Sequence, residues 1–397
     1  MKQTPLRLFL TSLLVQALTV VAAAPVEELR TRATGGAAGA QAGLGLVYLL
    51  GRGVAANPGE AVQWLRRAAD QGQIQAQYNL GILFAEGDGV AMDPEQAVRW
   101  WRRAAEQGAD RAQFKLGLAY SSGTGVAQDR TAAVWWWRRA AEQGHAQAQF
   151  DLGVMCWEGS GTGQDRSEAV RWYRKAADQG LASAQNNLGL AYANGTGITQ
   201  DQKEAVHWLR LAAEQGDPQA QGNLAALFST GAMRDPVEAA KWYRGAAEMG
   251  ELQAQTILAS MYERGDGVPQ DRTEAVRWIR RAAEQGDAQS QHNLGFAYAS
   301  GGGVPRDPAE ALRWYRKAAD QGYHPAQFNL GLLLADGEAA TKDEITGLAW
   351  LHLAAASGNA EFIKGRDLLE GRLGPGLATA AQQRSKELLD AITTAPK

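Results

Sequence analysis

Near neutral pH, histidine and cysteine are the side chains best suited to proton transfer and metal binding. The chain has five histidines, His145, His207, His292, His324 and His352, and one cysteine, Cys156. No two histidines stand at the i, i+4 spacing that places two ligands on one helix face, and H-E-x-x-H is absent. A single cysteine forms neither a thiolate pair nor an intrachain disulfide. No G-x-S-x-G or S-x-x-K motif supplies a serine nucleophile. Glycine-rich stretches such as Gly87–Val90 (GDGV) and Gly123–Val126 (GTGV) would suit a phosphate cradle, but they lack the lysine of a P-loop. They read as tight turns. No catalytic residue, metal site or cofactor is expected, and the chain reads as a non-enzyme.

Those turns belong to a longer pattern. Tryptophans fall at Trp64, Trp100, Trp136, Trp172, Trp208, Trp242, Trp278, Trp314 and Trp350, 36 residues apart except for one step of 34 at Trp242. A fixed period in this range marks a solenoid of stacked units. An Ala pair stands four and five residues after each Trp, from Ala68-Ala69 to Ala354-Ala355, and a glycine stands eight after, from Gly72 to Gly358. Each unit reads as two helices. In unit two the first is AQYNLGILFAEG, with Leu80 and Phe84 on one face. The second is DPEQAVRWWRRAAEQG, with Asp93 as N-cap and Pro94 at the first helical position. Asp307 and Glu310 have the spacing of a capping box. The glycine after each second helix suits a left-handed C′ position.

The triple Trp135-Trp136-Trp137 is read through this register. Trp136 is the repeat's common tryptophan, and Trp137 shares its position with Leu65, Trp101, Tyr173 and other large apolar residues, so both belong to the core. Trp135 matches Gln63, Arg99, Arg171 and Lys241 and is expected to face solvent. Cys156 takes the place of Tyr120, Tyr192 and Tyr262, a core position that implies an inert thiol. Beside it, Trp157 either swings over the space Cys156 leaves or projects outward. Arginines two residues after eight of the nine Trp, Arg66 to Arg316, are followed four residues later by acids, an i, i+4 pairing on a solvated face.

The unit AQ-x-NLG-x-x-Y-x-x-G-x-GV-x-x-D-x-x-EAV-x-W-x-RRAAEQG resembles the Sel1-like repeat, a relative of the tetratricopeptide repeat. The resemblance implies an all-α fold, a right-handed α-solenoid of about nine helix-turn-helix repeats over residues 37–359. Residues 25–36 would cap its N-terminal end and 360–397 its C-terminal end. Two units depart from the pattern: the sixth lacks two turn residues (STGAMRDP), and the ninth lacks the glycine turn (DGEAATKD). The family implies a scaffold for protein–protein interaction. Its exported bacterial members act in envelope regulation, exopolysaccharide systems or host contact.

Export is also read from the N-terminus. Lys2 and Arg7 precede an apolar run from Leu8 to Val21 and the small residues Ala22-Ala23-Ala24, the pattern of a secretory signal peptide over residues 1–24. Cleavage between Ala23 and Ala24 is expected, giving a periplasmic or secreted protein with no membrane span in the mature chain. A net charge of −3 gives no footprint for nucleic acid.

The tetratricopeptide relatives line a concave groove with first-helix side chains. Carried over by register, the partner-binding residues are Tyr78, Ile82, Phe114, Leu118, Phe150, Val154 and Trp157. A protein or peptide partner and a monomeric chain are expected. For Tyr78, Phe114 and Phe150 the alternative is packing against the adjacent unit. Two other functions compete. One is a cell-wall or β-lactam hydrolase, a label carried by cysteine-rich cousins whose paired cysteines are missing here. The other is a carbohydrate-binding solenoid that stacks sugars on Trp135 and Trp157.

Overall fold

The computed structural model describes residues 26–394, and no strand occurs among them. The signal peptide and its cleavage point lie outside the described residues. Helices alternate along the chain and gather into two compact bodies that meet between Trp208 and Leu209. The N-terminal body contains α1 (Val26–Thr34), α2 (Ala38–Leu50), α3 (Pro58–Asp70), α4 (Ile74–Glu86), α5 (Pro94–Glu106), α6 (Asp110–Ser122), α7 (Arg130–Glu142), α8 (Ala146–Glu158), α9 (Arg166–Asp178) and α10 (Ala182–Asn194). The boundary falls within α11 (Gln202–Glu214). The C-terminal body continues with α12 (Pro218–Ser229), α13 (Pro236–Glu248), α14 (Leu252–Arg264), α15 (Arg272–Glu284), α16 (Ala288–Ser300), α17 (Pro308–Ala319), α18 (His324–Asp336), α19 (Glu344–Ala355), α20 (Ala360–Leu373) and α21 (Pro375–Thr394). From α2 to α19, even-numbered helices are the first of each pair and odd-numbered ones the second.

Caps fix where the second helices begin. Asp93 Oδ1 accepts from the Gln96 amide at 3.0 Å, and Asp129 and Asp165 do the same at the starts of α7 and α9. The expected capping box at Asp307 is only half formed. Asp307 accepts from the Glu310 amide at 3.0 Å, but its own amide goes to the Tyr298 carbonyl and the Glu310 carboxylate to Arg313 at 2.6 Å. An ion pair one turn on has taken the side chain that the box needs.

Glycine turns fix where the first helices stop. Gly123 ends α6 in the left-handed region at φ 76°, and Gly125 follows at φ 71°. A Cβ on Gly125 would collide with the carbonyl of Pro94 at the start of α5, so the turn lies tightly on the preceding repeat. In the sixth repeat the two missing residues shorten this turn: α12 ends at Ser229 and a 3-10 turn spans Gly231–Met233. The ninth repeat keeps more of it than its sequence suggested. Gly337 is still left-handed at φ 76°, and only the second glycine is replaced, by Ala339.

The core lies between the helices of each pair and the next. Leu80, Leu116, Leu152 and their counterparts on the other first helices are fully buried. Trp136 and Trp137 are buried as expected, and Trp135 is 49% exposed. Trp137 lies against the backbone of α6 at Gly117, where a Cβ would occupy the indole. At the ends, Leu29 and Ala33 of α1 bury against Leu44 and Val47 of α2. Leu369 of α20 and Ala378 and Ala381 of α21 bury against Leu348 and Leu351 of α19.

Candidate functional site

Spacing of i, i+4 places Tyr78 and Ile82 on one face of α4, Phe114 and Leu118 on the same face of α6, and Phe150 and Val154 on that of α8. Leu118 is 38% exposed, and the other five and Trp157 are half-buried. Leu118 borders a cleft of about 180 Å³ between α4 and α6, over Trp101 and beside Lys115. Phe150 and Trp157 are brought together on Tyr173 of α9, with ring centroids at 5.8 and 6.2 Å. Phe114 is drawn instead to His145, stacked at 4.6 Å. The His145 ring caps α8, its Nδ1 accepting from the Ala148 amide at 3.2 Å, and burial lowers its pKa. Tyr78 and Ile82 pack on the core below them. The seven residues thus form a ladder of half-covered apolar side chains along three successive first helices.

The Sel1 repeat profile matches nine consecutive segments, residues 38–73, 74–108, 110–145, 146–181, 182–217, 218–251, 252–287, 288–323 and 324–359. This chain belongs to the Sel1 repeat family. Among solved structures it is similar to a Sel1 repeat protein from Oxalobacter formigenes, with 36% identity over 81% of this chain and 93% of that one and a TM-score of 0.64. It is also similar to c5321, a protective antigen present in uropathogenic Escherichia coli strains and displaying an SLR fold. There the identity is 31% over 93% of this chain and 95% of that one, with a TM-score of 0.56. No curated protein matches it by sequence.

Two contacts between Sel1 repeats lie outside the sequence reading. The first is a glutamine ladder. Buried Gln113 donates to the Ala105 carbonyl of the preceding repeat at 3.1 Å and accepts from Gln143 of its own second helix at 2.7 Å. Gln77, Gln149, Gln255 and Gln291 repeat both bonds. A buried amide satisfied on both ends costs little and fixes register. The signal was visible as a polar residue of fixed register on an otherwise apolar face.

The second corrects the expected i, i+4 ion pairs. Arg102 and Arg280 donate to the hydroxyls of Tyr120 and Tyr298, each 18 residues on in the next repeat, at 2.6 Å. Arg174 and Arg244 donate likewise to Tyr192 and Tyr262. A hydroxyl on the neighbouring helix competes better for these cations than a solvated acid of the same helix. In repeat four that tyrosine is Cys156, and Arg138 turns to Glu168 at 2.7 Å. Burial, with the Glu168 charge second, pushes the Cys156 thiol up to about 11, which keeps it protonated and inert. Trp157 lies beneath Arg166, whose guanidinium is 5.4 Å from its ring centroid, with its ring 6.2 Å from that of Tyr173. Trp135 is also covered on one face, by Arg139 at 4.9 Å.

Among the described residues, no three His, Cys, Asp or Glu side chains stand close enough to hold a metal ion. None of the described helices is long and apolar enough to cross a membrane.

Proposed function

We propose that this Sel1 repeat protein is a non-enzymatic scaffold that holds a protein or peptide partner on the first-helix face of repeats two to four. The observation that carries the proposal is the apolar ladder of Tyr78, Ile82, Phe114, Leu118, Phe150, Val154 and Trp157, left half-covered by its own fold. Contiguous apolar surface of this kind marks interaction sites. The place of action is the bacterial periplasm or the cell exterior, in envelope regulation, exopolysaccharide systems or host contact. The basic, apolar and small-residue order of residues 1–24 supports this, as does the likeness to a protective antigen.

The test is capture of the partner from the envelope fraction on immobilised protein, followed by calorimetry. The variant Leu118→Asp puts a carboxylate on the ladder at its most exposed position. It should melt near the wild type and bind at least about thirtyfold more weakly, the loss of one hot-spot anchor. Undiminished binding would move the partner off this face.

A further inference from the structure

In the C-terminal body, the cleft between α14 and α16, floored by α15, is far larger than the one beside Leu118. It is lined by Glu263, Arg272, Val276, Ile279, Asn293 and Phe296 and encloses about 630 Å³, against about 180 Å³ at the same register of repeats two and three. That volume lies within the roughly 300–1,000 Å³ of ligand pockets. A smaller floor contributes to the difference: its position holds Trp101 in repeat two, Tyr173 in repeat four and Tyr315 in repeat eight, Ile279 here, and leucine in repeats one, five and nine.

Repeat four displays the occupant that such a cleft accepts. There Trp157 stands at the position of Glu263, and Arg166 at that of Arg272. The indole lies on Tyr173, and the Arg166 guanidinium covers it. In repeat seven the arginine remains, and no carboxylate pairs with it among the described residues. The built-in indole is replaced by exposed Glu263 and the floor is cut back to Ile279. Asn187 and Asn329 each bond the hydroxyl of their floor tyrosine, whereas Asn293 faces a floor with none, and its Oδ1, which contacts His292 Nδ1 at 3.3 Å, keeps a second lone pair for a donor in the cleft. Phe296 stands 58% exposed at the rim.

We propose that this cleft takes one aromatic side chain of a partner protein, a tryptophan or tyrosine. The ring stacks beneath Arg272 between Ile279 and Phe296, and its N–H or O–H meets Asn293. This rests on the scaffold reading and adds a second anchor point in repeats seven and eight.

The test uses the full chain labelled at its few isoleucine δ1 methyls, titrated with N-acetyl-tryptophanamide and observed by NMR. The Ile279 methyl should move upfield and saturate. N-acetyl-leucinamide should bind roughly fivefold more weakly, as expected when ring stacking and the cation–π contact are lost. Arg272→Ala should weaken N-acetyl-tryptophanamide by a similar factor. Glu263→Trp, at an exposed position, should shift the Ile279 methyl upfield without ligand and abolish the response to added ligand. No saturable shift, equal saturation by the two amides, or an unchanged response in Glu263→Trp would overturn the proposal. No partner protein is present, so failure here would leave the first-helix ladder standing. Loss of that ladder's role with the Ile279 response intact would remove the ladder alone.

Discussion

Asp151 shows how one side chain can work against the repeat that carries it. Its counterparts include Asn79, Asn187, Asn293 and Asn329, and the one other charged residue in this register is Lys115. Burial pushes the Asp151 carboxyl up to about 6, and the hydrogen bond it accepts from Gln147 at 3.0 Å only partly offsets this. A carboxyl whose folded pKa exceeds its unfolded value of 3.8 favours the folded state while protonated. That favour is lost as pH rises from about 4 through about 6. Asp151→Asn keeps an acceptor for Gln147 and removes the charge. It should stabilise the protein by about 1–2 kcal/mol at pH 8, a value discounted for partial exposure, and by little at pH 4. Denaturant melts at the two pH values check this; an equal gain at both would make packing, not charge, the cause. The same register comparison placed the three consecutive tryptophans correctly, because exposure at one position of a repeat is set by the eight others. It could not place Trp157, which has no aromatic counterpart.

At the scale of the helix pair, the elements were legible because their ends are written in local chemistry: Asp at the N-cap, glycine at φ near 70–95°, alanine where helices touch. The contacts between elements were not. An arginine and an acid four residues apart look like partners along the sequence, whereas the tyrosine that takes Arg102 lies in the next repeat. The ladder's glutamines stand in a fixed register, but the bond between them was not legible for the same reason, since Gln77 and Gln107 are 30 residues apart. Repeat six shows what the ladder is worth. There the second-helix glutamine is replaced by Met249, 54% exposed, and Gln221 Oε1 is buried with no hydrogen-bond partner. Met249→Gln should restore the donor and raise stability by about 1 kcal/mol, the net value of one such bond. Met249→Leu should not. Equal denaturation midpoints for both variants would mean that the ladder contributes register without stability.

On the scale of the whole chain, a solenoid buries each repeat against its neighbours, so its ends must be closed by something other than a repeat. The sequence disclosed the nine units through their period. It said less of the C-terminal closure, whose helices follow no repeat. Gly374 at φ 77° ends α20 and Pro375 starts α21, which turns the chain back onto α19. Together they cover Leu348 and Leu351, both fully buried, and Phe362 stacks on Phe328 at 4.8 Å. Leu388 and Ile392 pack against the cluster that holds Trp350, which is also fully buried. Deleting residues 360–397 would uncover these side chains together, a contiguous apolar patch on the order of several hundred Å². The shortened chain should keep its helical content, since every Sel1 repeat remains, and should self-associate. Light scattering after size exclusion, over a range of concentrations, would show a mass that rises with concentration, where the full chain keeps its own. A truncated chain that stayed at its monomer mass with an unchanged melting temperature would mean that α19 closes the solenoid by itself. Leu369→Asp in the full chain separates the two causes of any association: it opens the same surface without removing a helix, and it should produce the same change more weakly.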